Sequence, residues 1–289
     1  MDWFCGYYSA VPTLMRRIQF IEIHDQEWLP APIRDGVTSS LQFGINLLNT
    51  YRPVVPLLRR GLDAMALPAN GGHSVVDLCS GGGGPWLKLR RDLEPAGSNG
   101  NGSALKISLT DKYPNLAAFE KVKKASDGRI CFHSGSVDAR QVPFELPGFR
   151  TMFTSFHHFP VEDARAILQN AVDAGEGIGV FEVTRRAPKT VIVVSAWVFL
   201  LFLSAFCIRP FRWSRMFWTY VVPAIPVVLL FDGVVSCLRT YGPDELRELV
   251  AELVGAEYQW EIGELSDGKA PLTYLIGHPR NCMNARADA

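Results

Sequence analysis

Hydrophobic positions along this chain alternate between short apolar runs and helical periodicities, from residue 74 almost to the last residue. The short runs, bounded by glycine, proline or polar residues, predict seven strands at about 74–78, 107–110, 130–133, 151–155, 178–183, 257–262 and 272–277. Apolar residues at helical spacing predict helices near 85–92, 114–124, 162–173 and 243–254. Strands that alternate with helices are typical of α/β proteins, so we expect a doubly wound, seven-stranded sheet.

The first 73 residues have a different pattern, in which helical segments are interrupted by prolines. We expect residues 1–73 to form a helical cap and residues 74–289 to form the main domain. Asp35 or Thr38 is the predicted N-cap of a helix in this region. The apolar face of that helix would carry Leu41, Ile45, Leu47 and Leu48. Residues 20–28, FIEIHDQEW, could close over a ligand as a lid, although a solvated helix start also explains their charges.

Two apolar runs interrupt the alternation of strands and helices. The run from Thr190 to Ile208 contains no charged residue, and the run from Met216 to Phe231 contains Pro223 and Pro226. The first run is just long enough to cross a hydrocarbon core of about 30 Å as a helix that rises about 1.5 Å per residue. Basic residues lie at both ends of the pair, so charge gives no reason for its tip to cross a membrane. We therefore expect a monotopic or re-entrant hairpin insertion at 190–231; a hairpin buried over the core or in a dimer interface is the alternative.

Composition excludes some classes of function. Lys plus Arg and Asp plus Glu both number 29, so no basic field favours nucleic acid. The six cysteines form no CxxC pair, which indicates reduced thiols in a protein that faces the cytoplasm. The first residues also lack the order of a secretory signal.

His24, Asp25 and Glu27 lack a metal-ligand spacing, and we expect no metal site. Residues 95–104 are predicted to form a surface loop, and residues 281–289 a frayed tail.

The segment from Val75 to Trp86, VVDLCSGGGGPW, joins a buried-strand pattern to four consecutive glycines. A glycine turn after a strand allows the backbone to approach a ligand more closely than side chains would permit. Dinucleotide-binding enzymes and S-adenosylmethionine methyltransferases both use such a loop. Asp111, at the end of the second predicted strand, suits the ribose hydroxyls of either cofactor, so it does not discriminate between them.

Four segments together resemble the class I S-adenosylmethionine-dependent methyltransferases, which have a Rossmann-like fold, over residues 74 to 183. Asp77, Cys79, Gly81 and Gly83 occupy the positions of the family's first motif, with Cys79 in place of the first glycine. Asp111, the triplet 136–138 and the string 154–160, TSFHHFP, follow the next three strands in the family's order. The resemblance implies S-adenosylmethionine as cofactor, bound by Asp77, Cys79, Gly81, Gly83, Asp111, Asp138 and Ser155.

Three residues are candidates for catalysis: His157, His158 and Asp232. A neutral imidazole can accept a proton from an acceptor hydroxyl or amine, so either histidine could be a general base; the alternative is that they only shape the loop. Asp232 follows the apolar hairpin and could orient a substrate, or it could cap the next helix or pair with Arg239. Glu182 ends the fifth strand, at the edge where such sheets gather their sites.

The predicted function is S-adenosylmethionine-dependent methyl transfer to a small hydrophobic acceptor, such as a lipid, a quinone or a lipophilic metabolite. The expected partners are this acceptor and a membrane lipid surface, with a homodimer possible and the catalytic domain facing the cytoplasm. Two alternatives remain open. One is a membrane-anchored cofactor-binding subunit without catalysis, and the other is a nicotinamide-dependent oxidoreductase.

Overall fold

A computed structural model describes residues 16–65, 72–94, 105–255, 257–266 and 271–280 of the 289-residue chain. The predicted surface loop at 95–104 and the predicted tail at 281–289 lie outside these residues, as do Cys5 and Cys282. The other four cysteines are free thiols.

Seven strands form one sheet in the order β3-β2-β1-β4-β5-β7-β6. They are β1 (Ser74–Asp77), β2 (Lys106–Leu109), β3 (Ile130–Phe132), β4 (Phe149–Phe153), β5 (Ile178–Glu182), β6 (Tyr258–Ser266) and β7 (Pro271–Pro279). The first five are parallel, and β7 runs antiparallel between β5 and β6. The strand order reverses at β1 and β4, which places a ligand-binding crevice at their carboxyl ends.

The described residues form nine α-helices. They are α1 (Ala31–Leu48), α2 (Val55–Asp63), α3 (Trp86–Leu93), α4 (Leu116–Ala125), α5 (Val161–Asp173), α6 (Pro188–Ser204), α7 (Trp213–Met216), α8 (Ala224–Arg239) and α9 (Pro243–Ala251). One face of the sheet packs against apolar residues of α2, α3 and α4, and the other against α5 and α9. The predicted Rossmann-like, doubly wound α/β fold is therefore confirmed.

The start of α1 differs from the prediction. The helix begins at Ala31, directly after Pro30, without a side-chain cap, so Asp35 and Thr38 lie inside it and the predicted cap is wrong. A proline in the first turn starts a helix because its missing N–H has no partner to lose there. The predicted apolar face is wrong at Leu41, Leu47 and Leu48, whose side chains are exposed.

The apolar insertion is a helical hairpin, as predicted. α6 and α8 pack against each other and against α1 through Ile33, Val37, Val198, Leu201, Ile225 and Leu229. The second arm bends by 73° between Trp213–Val221 and Ala224–Arg239. Pro223 lies in this break, where its ring is compatible with a helix start but not with a continuous helix. The second arm also continues beyond the predicted end, so that α8 contains Asp232.

Much of the hairpin surface is apolar and exposed. Pro188–Cys207 is long and apolar enough to cross a membrane, and only 22% of its most apolar window is buried; the bent pair could form a second span by the same measure. Fifteen of the 27 exposed large hydrophobic side chains in the described residues lie between Ile192 and Phe231. Exposed apolar surfaces of this kind are typical of sites that contact a membrane or another protein.

The turn between β1 and α3 has four left-handed residues, Cys79, Gly81, Gly83 and Gly84, with φ of 55°, 52°, 104° and 57°. Gly83 also lies against α4, where an added Cβ would be 2.5 Å from Val122 Cγ2. The left-handed conformation costs a non-glycine residue about 1–2 kcal/mol, so glycine would be the favoured residue at position 79 as well.

An N-terminal tether joins the segment before α1 to α8. The carboxylate of Asp232 accepts the N–H groups of Ile23 and His24, at 2.7 and 2.9 Å. Farther back, the Ile18 N–H donates to the Leu238 carbonyl at 3.1 Å. Asp232 therefore neither caps a helix nor pairs with Arg239, and it fixes where residues 18–28 lie.

Replacement of Gly83 tests the packing of the glycine turn. We expect Gly83→Ala to lower the free energy of unfolding by about 2–4 kcal/mol, because left-handed strain and overpacking against Val122 add together. Gly81→Ala is the matched control: nothing lies within 4 Å of its added Cβ, so only the strain applies. Urea denaturation measures both. Equal losses in the two variants would contradict the packing argument.

Replacement of Asp232 tests the N-terminal tether. In Asp232→Asn one acceptor oxygen becomes an amide donor that faces a backbone N–H. The lost charge-assisted hydrogen bonds are worth roughly 1.5–3 kcal/mol, so we expect amide exchange at Ile23 and His24 to accelerate tenfold or more. Asp35→Asn is the control, because Asp35 pairs with Arg212 at an exposed position. Hydrogen exchange read by mass spectrometry measures the effect, and unchanged exchange in Asp232→Asn would argue against a tether.

Candidate functional site

Asp77 lies in the wall beneath the glycine turn. Its side chain is 1% exposed, and its two oxygens accept hydrogen bonds from the hydroxyls of Thr151 at 2.7 Å and Ser80 at 2.6 Å. Burial raises the pKa of Asp77 to about 6, although these hydrogen bonds oppose the shift. The carboxylate thus ties the turn after β1 to β4. Cys79 lies in the same turn, where burial raises the pKa of its thiol.

Asp111 borders the glycine turn from the end of β2. Its Oδ2 accepts the Gly81 N–H at 2.8 Å, and its Oδ1 accepts the Tyr113 N–H at 2.9 Å. Because an added Cβ at Gly81 would meet nothing within 4 Å, the backbone faces open space beside this carboxylate. These features fit S-adenosylmethionine, whose hydroxyls need an acceptor next to a closely approached backbone.

Asp138 lies beside Asp111 in the loop after β3, where the Val137 N–H donates to the Asp111 carbonyl at 2.9 Å. Arg140 donates to the Asp138 carboxylate through Nε at 3.0 Å and Nη2 at 2.7 Å. These hydrogen bonds lower the pKa of Asp138 to about 2. Lys112 Nζ lies 3.7 Å from the same carboxylate. Asp138 is thus a fixed carboxylate at the edge of the crevice, and its contact with adenine stays a prediction.

Ser155 follows β4 at the same edge of the sheet. Its hydroxyl is buried, and it has no hydrogen-bond partner within the part of the chain that the structure describes. The preceding residue, Thr154, is left-handed with a φ of 46°, and its hydroxyl contacts Tyr51. A buried hydroxyl without a partner is costly, which makes Ser155 a candidate to contact a ligand.

His157 is buried between carboxylates. Its Nδ1 lies 2.8 Å from Glu182 Oε2, and its Nε2 lies 3.5 Å from Glu22 Oε1. Burial would lower the pKa of His157, but the charges of Glu182 and Glu22 outweigh it and raise the value to about 9. Unless a cation in addition to Arg239 binds in the cluster, such a histidine is an imidazolium at neutral pH and has no lone pair with which to accept a proton.

His158 is partly exposed and stands beside His157, with ring centroids 4.5 Å apart. Its Nδ1 lies 2.9 Å from Asp25 Oδ2, and its Nε2 lies 3.6 Å from Glu22 Oε2. Each histidine therefore has one ring nitrogen on its own carboxylate and the other directed toward Glu22.

Glu22 connects the histidine pair to α8. Its side chain is 4% exposed, with Arg239 Nη1 at 3.3 Å and the Ser236 hydroxyl at 3.0 Å from Oε1. Burial would raise the pKa of Glu22, but the two histidines and Arg239 hold it at about 2. Arg239 also donates to the carbonyls of His157 and His158.

The predicted site residues form two groups at one edge of the sheet. Asp77, Cys79, Gly81, Gly83, Asp111 and Asp138 surround the glycine turn and its neighbouring loops, whereas His157 and His158 join Glu22, Asp25, Glu182 and Arg239. Asp232 is linked to the second group only through its hydrogen bonds to the backbone of Ile23 and His24, the residues that follow Glu22. No sequence pattern connects Glu22, Asp25 or Arg239 with the histidines. The one local signal was Glu22 itself, an acid between Ile21 and Ile23.

No protein-family model and no curated protein matches this chain. Solved structures do resemble it. The plantazolicin methyltransferase BpumL in complex with SAH aligns with a TM-score of 0.52 and 9% identity, over 88% of this chain and 93% of that chain. The same enzyme with SAH and a monoazolic desmethylPZN analog aligns with a TM-score of 0.50 and 9% identity, over the same shares of the two chains. At this identity the likeness concerns the fold: the chain has the Rossmann-like fold found in methyltransferases.

Proposed function

We propose that this protein is an S-adenosylmethionine-dependent methyltransferase that acts on a small hydrophobic or membrane-associated acceptor. The observation that carries the proposal is the hydrogen bond between Gly81 N–H and Asp111, which joins the open glycine turn after β1, at the switch point of the sheet, to a carboxylate after the neighbouring strand β2. The fold likeness to two structures of a methyltransferase that contain SAH also supports it.

The residues of this chain would bind and orient the reactants. The donor supplies an electrophilic methyl group on a sulfonium. Asp111 would accept its hydroxyls, and the backbone at Gly81 would lie against it. The Ser155 hydroxyl offers a further polar contact. α1 covers the turn, because the Gln42 amide donates to the Gly84 carbonyl at 2.7 Å. Positioning of this kind can supply about 7–11 kcal/mol of the barrier. The catalytic roles of His157, His158 and Asp232 stay predictions.

The proposed acceptor class rests on the hairpin. Its tip exposes Arg209 and Arg212 next to Phe211 and Trp213, a combination of basic and aromatic side chains that suits a lipid headgroup layer. We propose that the hairpin lies in the interface of a membrane, with the sheet on the cytoplasmic side. An acceptor dissolved in the lipid would then meet α8, the helix whose buried side contacts the histidine loop.

Replacement of Asp111 tests the proposed cofactor site. We expect the full chain to bind S-adenosylmethionine in the micromolar range by calorimetry, and to transfer an isotopically labelled methyl group into a total lipid extract. Asp111→Ala removes a charged acceptor worth roughly 2 kcal/mol, which corresponds to an affinity loss of about 30-fold. Asp127→Asn, in an exposed turn before β3, is the control and should bind like the unmodified chain.

The outcomes of these measurements separate the alternatives. No donor binding by the unmodified chain would refute the methyltransferase proposal. Binding without any labelled product would favour a non-catalytic cofactor-binding subunit. A change of nicotinamide fluorescence on mixing, without donor binding, would favour the oxidoreductase.

Replacement of exposed hairpin residues tests the membrane contact. We expect the unmodified chain to sediment with vesicles that contain anionic lipid. Phe199→Ser and Trp213→Ser together should reduce the bound fraction at least tenfold, because a buried large apolar side chain contributes about 1.5–3 kcal/mol. Phe144→Ser is the matched control, since Phe144 is 88% exposed but lies outside the hairpin.

A different result would show that the exposed hairpin surface contacts a second copy of the chain and not a membrane. If the unmodified chain does not sediment with vesicles and is a dimer that the same two substitutions dissociate, the hairpin is a homodimer interface. Full turnover of a water-soluble acceptor without lipid or detergent would also contradict the proposed acceptor class.

A further inference from the structure

We propose that Glu22, His157 and His158 form a binding site for a divalent first-row metal ion of the Zn²⁺ type. Each of the three side chains offers one ligand atom, and these atoms all lie within 4.8 Å of one another. Two histidine nitrogens and one carboxylate are a ligand set that zinc uses in catalytic sites. This inference concerns metal binding and does not depend on the proposed methyl transfer.

The separations between ligand atoms suit a small tetrahedral ion. Glu22 Oε2 lies 3.6 Å from His158 Nε2, and the other oxygen of the same carboxylate, Oε1, lies 3.5 Å from His157 Nε2. Ligands about 2.1 Å from a tetrahedral zinc ion lie about 3.4 Å from one another. Because all three ligand atoms lie within 4.8 Å of one another, they would have to approach one another by about 1.4 Å at most to reach this separation.

Carboxylates behind the ligands orient both imidazoles. His157 Nδ1 lies 2.8 Å from Glu182, and His158 Nδ1 lies 2.9 Å from Asp25. Each Nδ1 thus donates its proton to a carboxylate. A metal ion that binds at Nε2 displaces the proton from that nitrogen, and the neutral ring then has its lone pair on Nε2, on the side of Glu22. Metal-bound histidines almost always donate the other ring N–H in this way.

The Nε2 atom of His157 has no hydrogen-bond partner among the described residues, although the side chain is only 1% exposed. A buried polar atom of this kind is unfavourable unless a ligand satisfies it. Its one charged neighbour is Glu22 Oε1, at 3.5 Å, and a metal ion would give this nitrogen the short contact that it lacks.

The charges of the cluster also suit a divalent cation. Three carboxylates, from Glu22, Asp25 and Glu182, contact the imidazoles, and Arg239 is the cation that contacts Glu22. Arg239 and Ser236 contact Oε1 of Glu22, which leaves Oε2 available for a metal ion. His158 and Asp25 are partly exposed, so an ion can reach the cluster from solvent. Three protein ligands would leave a fourth position for water or for an acceptor oxygen.

Metal titration of the full chain tests the site. After treatment with a chelator, the protein is titrated with Zn²⁺ alone against a chromophoric competitor, and with Co²⁺ alone by visible spectroscopy. We expect one equivalent per chain and a tetrahedral cobalt spectrum without the charge-transfer band of thiolate ligands. X-ray absorption of the zinc-loaded protein should show nitrogen and oxygen neighbours and no sulfur.

Variants locate the bound ion. His158→Gln is preferred to changes at His157 or Glu22, because its side chain is 28% exposed and less important for folding. It should weaken zinc binding at least 100-fold. Glu182→Gln leaves all three ligands in place but removes the carboxylate that orients the His157 ring and its negative charge, and it should weaken binding by about 10–100-fold. His73→Gln removes a histidine outside the cluster and should bind zinc unchanged, with circular dichroism as the check on folding.

Three results would each overturn the proposal. The first is the absence of stoichiometric binding by the unmodified chain, and the second is a sulfur neighbour or a thiolate band, which would assign the ion to cysteines. The third is unchanged affinity in folded His158→Gln and Glu182→Gln. Because no methyl donor is present, none of these results bears on the proposed methyltransferase activity.

Discussion

The pairing of buried charges beneath the N-terminal segment is the constraint on which the arrangement of the site depends. A buried carboxylate such as Glu22 is tolerated only where cations or hydrogen-bond donors compensate for its lost hydration. Its partners come from different parts of the chain: the histidine pair follows β4, whereas Ser236 and Arg239 lie on α8. The segment, the loop and the helix therefore stabilise one common arrangement, since separation of any one leaves charge buried without a partner.

The two sides of α8 connect this cluster with the apolar surface of the molecule. Asp232, Ser236 and Arg239 lie on its buried side, whereas Val227 and Phe231 are exposed. The same helix therefore holds the N-terminal segment with its buried side and contributes its other side to the exposed apolar surface of the hairpin. In the proposed function, the same helix would therefore take part both in the membrane contact and in the choice of acceptor.

The sheet and the glycine turn were predictable because their signals are local. Buried parallel strands have short apolar runs, and a strand that meets four glycines indicates a tight turn whatever surrounds it. The start of α1 was predicted wrongly because a proline replaced the usual side-chain cap. The apolar face of α1 was predicted wrongly because the helix packs on the hairpin through Ile33 and Val37. No local periodicity specifies this contact.

By itself the sequence determined the order of strands and helices, the left-handed turn at Gly81 and Gly83, and the acids at the ends of the strands. Only the tertiary structure decided which side chains meet there. His158 lies 133 residues from Asp25 along the chain, and Arg239 lies 82 residues from His157. Backbone conformation and hydrophobic period are properties of neighbouring residues, whereas a buried charge acquires its partners only when distant segments pack together.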